Sequence, residues 1–181
     1  MKLPADFELH RYGIDVRLVT ENDAEFILSL RTDEKLSRFI HSTDYDVEKQ
    51  KQWIRDYKLR EQNGTDYYFL YSFHNEAFAV NRIYDIREDH ATSGSWVCKK
   101  GTDVNQSIAT VLIVRDILFY SLCIQKDCFD VRKENLQVQR MHKRMMAVQV
   151  GETDLDYLYE LDCANYEIGK NKIIKLLNIT D

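Results

Sequence analysis

Asn135 and His142 stand seven positions apart, two turns of helix, which sets them on one side of it. An asparagine caps a helix well, and an imidazole near neutrality can pass a proton to a leaving group. Groups of a type that accepts a proton are Glu76, Tyr84, Asp85 and His90, all at or between strands of a sheet. Cys98 invites covalent chemistry, but no sequence neighbour supplies a cysteine–histidine pair. Arg140, Lys143 and Arg144 form a positive patch that suits an anionic ligand or plain solvation. Tyr67 and Tyr68 are candidates to shape an acceptor pocket, although alternation along a strand sends only one of them to a given face.

Composition narrows the classes. Twenty-five Lys and Arg against 30 Asp and Glu give a net charge of -5, which disfavours a nonspecific nucleic-acid binder. Cys98, Cys123, Cys128 and Cys163 form no Cys-x-x-Cys pair. They read as free thiols in a reducing compartment, with neither a disulfide scaffold nor a metal site. No apolar run approaches the roughly 18 residues of a membrane span, and Met1–Asp6 lacks the apolar stretch of a signal peptide. A cytoplasmic protein with no membrane span is expected. The 181 residues suit one domain over 1–181, long enough to bury a core without staples. Its 11 Tyr and 8 Phe read as an aromatic-rich core, with a cleft lining as the alternative. No repeat, low-complexity tract or linker interrupts it.

The elements that must position these residues follow from periodicity. Phe7, Leu9, Tyr12, Ile14, Val16 and Leu18 predict a first strand with an irregularity at Gly13. Thr20 with Asp23 three places on signals a helix start, and helical spacing predicts a helix over 21–32. A polar link, His41–Asp46, leads into a helix over 46–62 that Asn63-Gly64 stops. Strands follow over 67–73, 77–84 and 91–98, joined by the turn His74-Asn75-Glu76 and the link 87–90. Links this short imply an antiparallel meander.

Ile108, Val111, Leu112, Arg115, Leu118, Phe119 and Leu122 then predict a helix. Residues 128–132 read as a short strand. Asn135 caps a further helix with Val138, Met141 and Met145 on one face. Strands through Val148–Val150 and Leu155–Leu161 follow, and 163–177 closes the chain as a helix weakened by Gly169. The order predicts an α/β (α+β) fold: a single mixed, mostly antiparallel central sheet with helices on both faces.

Three stretches sharpen this: Val16-Arg17-Leu18-Val19-Thr20-Glu21-Asn22-Asp23-Ala24, Ser95-Trp96-Val97, and Arg132-Lys133-Glu134-Asn135 followed by Met141-His142-Lys143-Arg144. With the element order and Trp53, they resemble the GNAT fold of acyl-CoA-dependent N-acetyltransferases, in its RimJ/RimL-type branch. The last stretch is similar to acetyltransferases acting on nucleotide-linked amino sugars of surface-glycan pathways. The resemblance spans almost the whole chain. It implies acetyl-CoA as cofactor, no metal, and a small-molecule amine acceptor, with no nucleic acid and no membrane partner, in a monomer or homodimer.

It also implies that the strand at 91–98 splays from that at 128–132 and that acyl-CoA lies in the gap. Backbone amides near Trp96, Val97 and Cys98 would face the oxyanion. Lys99, Gly101, Asn105, Ser107 and Ile108 would lie along the pyrophosphate, where helix-start amides hold phosphate oxygens. Asn135 would face the acyl-CoA arm. His142 occupies the position of a tyrosine near the departing thiolate, with Glu76 or Tyr84 as candidate base.

Two positions depart from the family pattern. The phosphate loop carries Gly101 and then Asp103, Asn105, Gln106 and Ser107 in place of closely spaced glycines. After the late helix stands Met146-Ala147 where a glycine usually lets the chain leave. The favoured function is acetyl transfer to a primary amine on a nucleotide-linked amino sugar, by direct attack in a ternary complex. The alternatives are transfer to a protein N-terminus or another small amine, a degenerate CoA-binding relative, and a protein-interaction role.

Overall fold

The computed structural model describes residues 1–33, 36, 39 and 43–180; His41 and Ser42 of the expected polar link lie outside the described residues. The chain opens with β1 (Glu8–Arg11) and β2 (Ile14–Leu18), a short 3-10 turn (Glu21–Asp23), α1 (Ala24–Arg31) and α2 (Val47–Asn63). The meander is β3 (Tyr67–Phe73), β4 (Glu76–Tyr84) and β5 (His90–Cys98). Then come α3 (Val104–Asp116), β6 (Lys126–Arg132), α4 (Leu136–Arg144), β7 (Val148–Glu152), β8 (Asp156–Asp162) and α5 (Cys163–Leu177).

Among the described residues eight strands form one sheet in the order β1-β2-β3-β4-β5-β6-β8-β7. Every junction is antiparallel except β5–β6. Period-two alternation on β3 shows how the sheet is covered. Tyr67, Phe69 and Tyr71 pack with α3 and with Tyr166 and Ile173 of α5. Tyr68 and Leu70 face the other way, onto Ile27 and Leu30 of α1 and Ile54 and Tyr57 of α2. The mixed, two-sided sheet expected from the sequence is therefore the one observed.

The caps act as their residue types dictate. Asp23 accepts the Thr20 N–H at 2.7 Å and the Thr20 hydroxyl at 3.0 Å. Asp46 accepts the Lys49 N–H at 3.0 Å, and Gly64 ends α2 at φ 74°. The N-terminal strand differs from expectation. It is a hairpin, with Arg11 opposite Ile14 and both turn residues left-handed, Tyr12 at φ 53° and Gly13 at φ 71°. Such a turn reverses a strand in two residues; the Tyr12 hydroxyl is anchored on the buried Asp116 at 3.1 Å. α3 runs into a wider turn over Ile117–Ser121, closed by the Leu122 N–H on the Ile117 carbonyl at 2.9 Å.

The end of α4 differs too. Met146 takes the left-handed conformation itself, at φ 68°. The Ala147 N–H bonds the His142 carbonyl at 3.0 Å and the Met146 N–H bonds the Lys143 carbonyl at 3.1 Å. This is the paired-bond helix stop that glycine ordinarily makes. Gly169, a weak point on propensity alone, is a packing requirement: a Cβ there would fall 2.5 Å from the Met145 backbone. Only glycine lets α5 cross the end of α4 so closely.

Candidate active site

β5 and β6 pair only at His90–Lys126 and Ala91–Asp127, and then diverge. The gap between them is a cleft of about 850 Å³. β5 supplies one wall. Its ladder with β4 slips between Val80 and Arg82, and Ser95 stands at φ 53°, so β5 bulges where it borders the gap. Gly94 leaves room for Tyr84, whose hydroxyl oxygen would lie 2.8 Å from a Cβ at that position. The Trp96 indole donates to Thr110 Oγ1 of α3 at 2.9 Å, which holds the far end of β5 against α3.

α4 supplies the opposite wall. Asn135 Oδ1 accepts the Val138 N–H at 3.3 Å. Gln139 Nε2 donates to the carbonyls of Arg132 at 3.0 Å and Lys133 at 2.9 Å, which ties α4 to β6. His142 is buried against Phe129, ring centres 4.4 Å apart.

At the vertex lies a charge pair. Asp127 accepts the Ser93 N–H at 2.9 Å, the Ser93 hydroxyl at 2.7 Å and Arg115 Nε at 2.9 Å. Arg115 Nη2 approaches His142 Nδ1 at 3.3 Å. Burial, and after it the Arg115 charge, holds the His142 pKa well below the usual 6.5. Burial pushes the Cys98 thiol up to about 11, so it stays a thiol. Burial first, and the Asp130 charge second, raise the Tyr84 phenol above its ordinary 10.0, which keeps it protonated.

A second cavity of about 480 Å³ adjoins the cleft, and Arg31, Tyr84 and Ser95 line both. Trp53, Tyr68 and Arg82 also line it. Arg82 is held by Asp66 at 2.5 Å and lies 5.0 Å over the Trp53 ring and 4.8 Å over that of Tyr84.

No protein-family model and no curated protein sequence matches the chain. Solved structures do. Apo FdhC, described as a nucleotide-linked sugar GNAT, is 32% identical, with TM-score 0.84, over 93% of this chain and 97% of that one. The chain belongs to the GNAT family of acetyltransferases. Mycobacterium smegmatis RimJ in complex with CoA-disulfide shares the fold at 16% identity and TM-score 0.77, over 93% of this chain and 91% of its own. So does Vibrio cholerae spermidine N-acetyltransferase in complex with CoA and spermine, at 12% identity and TM-score 0.73, over 87% and 99%. As a GNAT protein the chain is an acetyl-CoA-dependent N-acetyltransferase.

The GNAT cleft collects most of the residues singled out from the sequence. Trp96, Val97 and Cys98 line it from β5, Ser107 and Ile108 from α3, Asn135 and His142 from α4. Tyr84 borders both cavities. Lys99, Gly101 and Asn105 are exposed outside the lining, and Asn105 Nδ2 donates to the Leu177 carbonyl at 3.1 Å. Glu76 is exposed in the β3–β4 hairpin and His90 pairs with Asp89 at 2.7 Å; neither lines the cleft. Tyr68 faces the second cavity, while Tyr67 turns into the core and its hydroxyl accepts the Leu3 N–H at 3.0 Å. Arg140, Lys143 and Arg144 are solvated.

Asp103 accounts locally for the glycine-poor loop before α3. It caps α3, accepting the N–H groups of Asn105 at 2.8 Å and Gln106 at 3.3 Å. Arg115, Asp127, Asp130 and Arg31 went unnoticed as site residues. For two of them a signal existed: Arg115 directly follows the apolar helical run Val111–Val114, and Asp127 stands next to the strand expected over 128–132. Buried charges come in pairs. No group of three or more His, Cys, Asp or Glu that could hold a metal occurs among the described residues. No helix among them is long and apolar enough to cross a membrane.

Proposed function

We propose that residues 1–181 act as one catalytic domain that transfers acetyl from acetyl-CoA directly to a primary amine on a nucleotide-linked amino sugar. The observation that carries this is the pair of joined cavities. One lies between β5 and α4 with apolar side chains such as Val97, Val138 and Met141 on its walls, as an acyl-CoA arm requires. The other adjoins it and combines Trp53, Tyr68 and Tyr84 with the cations Arg31, Lys49 and Arg82 and the carboxylates Asp44 and Asp46, a lining suited to a polar acceptor. The likeness to the nucleotide-linked sugar enzyme over nearly its whole length supports the acceptor class.

In this scheme Trp96, Val97 and Cys98 flank the thioester, and backbone N–H groups of that stretch meet the oxyanion. Ser107, Ile108 and Asn135 border the arm. Lys99, Gly101 and Asn105 lie at the mouth toward the diphosphate. The acceptor arrives as an ammonium. Asp130, a carboxylate of the cleft lining on the Tyr84 side, attracts it and passes its first proton to water. Tyr84, a phenol, orients the acceptor by donating a hydrogen bond. The free amine attacks the carbonyl carbon; the C–N bond forms and the C–S bond breaks. The proton that nitrogen then loses is the one the thiolate gains, through water. His142 is neutral, so it steadies the departing sulfur as a hydrogen-bond donor. Glu76 has no part in the scheme.

A second reading, CoA binding without turnover, draws on Asp103, whose carboxylate already occupies two of the α3 amides that face a phosphate in such sites. Acetyl-CoA with sugar-nucleotide amines, polyamines or short peptides, followed by thiol release, separates the outcomes. Turnover of the sugar-nucleotide amine is expected. Exclusive peptide turnover would make the chain a protein N-acetyltransferase. CoA binding with no amine-dependent thiol release would support the second reading.

A further inference from the structure

Asp127 stands where the parallel ladder of β5 and β6 ends. Continued pairing would give the Ser93 N–H to a β6 carbonyl. The Asp127 side chain, itself from β6, takes that N–H at 2.9 Å and the Ser93 hydroxyl at 2.7 Å instead. A carboxylate with no exposure needs a cation, and Arg115 of α3, 1% exposed, supplies it at 2.9 Å. The rest of the guanidinium is committed as well. Nη1 donates to Met145 Sδ at 2.9 Å, Nη2 reaches His142 Nδ1 at 3.3 Å, and Cζ lies 4.8 Å from the Phe129 ring centre. A planar fork held at three points has one orientation.

A guanidinium only donates, so Nδ1 of His142 accepts, and the single proton of the neutral ring sits on Nε2. The groups that face the ring are Arg115 from α3, Phe129 from β6 and Tyr159 from β8, with ring centres at 4.4 Å and 6.5 Å for the last two. No carboxylate is among these groups; that of Asp127 is engaged by Arg115 and Ser93.

We infer that Asp127 and Arg115 are positioning residues of the transfer: Asp127 ends the β5–β6 ladder and so opens the cleft, and Arg115, anchored on it, fixes His142 as the Nε2–H tautomer. This rests on the proposed role of His142 beside the departing sulfur. The tautomer itself is a property of the free protein.

The test is long-range proton–nitrogen NMR of the ¹⁵N-labelled, CoA-free protein, with His142 identified by loss of its signals in His142→Gln. A single Nε2–H tautomer that does not titrate between about pH 5.5 and 8.5 is expected. In Arg115→Met/Asp127→Leu, which removes both charges together, the Nδ1–H tautomer should appear. Arg115→Lys keeps a donor-only cation and the ion pair without the fork, so it tests the positioning through kcat and decides it if the double variant does not fold. With the sugar-nucleotide amine, Arg115→Lys should lower kcat about tenfold or more while KM for acetyl-CoA stays within about threefold. An Nδ1–H tautomer in the wild type, an unchanged single tautomer in the folded double variant, or an unchanged kcat in Arg115→Lys would overturn it. If no amine is turned over, the acetyl-transfer reading fails, and the spectra still decide the tautomer.

Discussion

At the residue scale, His142 is a buried imidazole beside a fixed cation, and its chemistry follows from that. A proton donor in the strict sense would have to be an imidazolium, and burial and Arg115 both work against one. In the proposed mechanism it is a neutral donor to the thiolate, making a charge-assisted hydrogen bond, so His142→Ala should lower kcat by about 10–100-fold with CoA affinity almost unchanged. The same environment has a stability consequence. The folded pKa lies below the unfolded one, so the unfolded state binds the extra proton and stability falls as pH drops below about 6.5. The loss approaches about 1.4 kcal/mol per pH unit from this group. Urea unfolding of wild type and His142→Gln across pH 5–7.5 should show the slope in the former and a flatter line in the latter. Asp103 is the other decisive residue. Asp103→Ser keeps a capping oxygen and removes the charge from the α3 start. It should tighten CoA binding about threefold to tenfold by calorimetry, at a stability change within about 1 kcal/mol.

At the element scale, two contacts govern how α4 ends and how α5 crosses it. Met146 pays a left-handed backbone penalty that glycine avoids, so Met146→Gly should raise stability by about 1 kcal/mol in urea unfolding. Gly169→Ala should lower it by more than about 1 kcal/mol, because the new methyl meets the backbone of Met145. Most elements were legible in the sequence because their signals are local: the Thr20–Asp23 box, Asn63-Gly64 after α2, the alternation of β8, the Asn135 cap. The hairpin at Tyr12-Gly13 was not, since tyrosine is an unusual residue at positive φ and one glycine inside an alternating run reads as a bulge. The start of β6 was missed for a different reason. Lys126 and Asp127 lack the apolar character of a strand, yet they make the only bridges to β5. The ion pair that defines the vertex depends on α3 meeting β6, which no local pattern announces.

At the scale of the whole molecule, the sheet is one continuous surface interrupted where β5 leaves β6, and the larger cavity lies at that interruption. Helices on both faces complete the cavities: α3 and α4 border the cleft, while α1 and α2 border the second cavity. The fold could be anticipated from the order of elements, and the gap between β5 and β6 from the family resemblance. The second cavity could not, because Arg31, Trp53, Tyr68, Arg82 and Tyr84 come from four separate elements and converge only in three dimensions. Acetyl transfer to an amino sugar is the central claim, and the direct measurement is thiol release from acetyl-CoA with a nucleotide-linked amino sugar as sole acceptor. Mass spectrometry of the sugar product accompanies it. Amine-dependent thiol release matched by a sugar nucleotide heavier by one acetyl group is the predicted result. CoA binding by the folded protein, with no acetylated sugar and no amine-dependent thiol release, would contradict it.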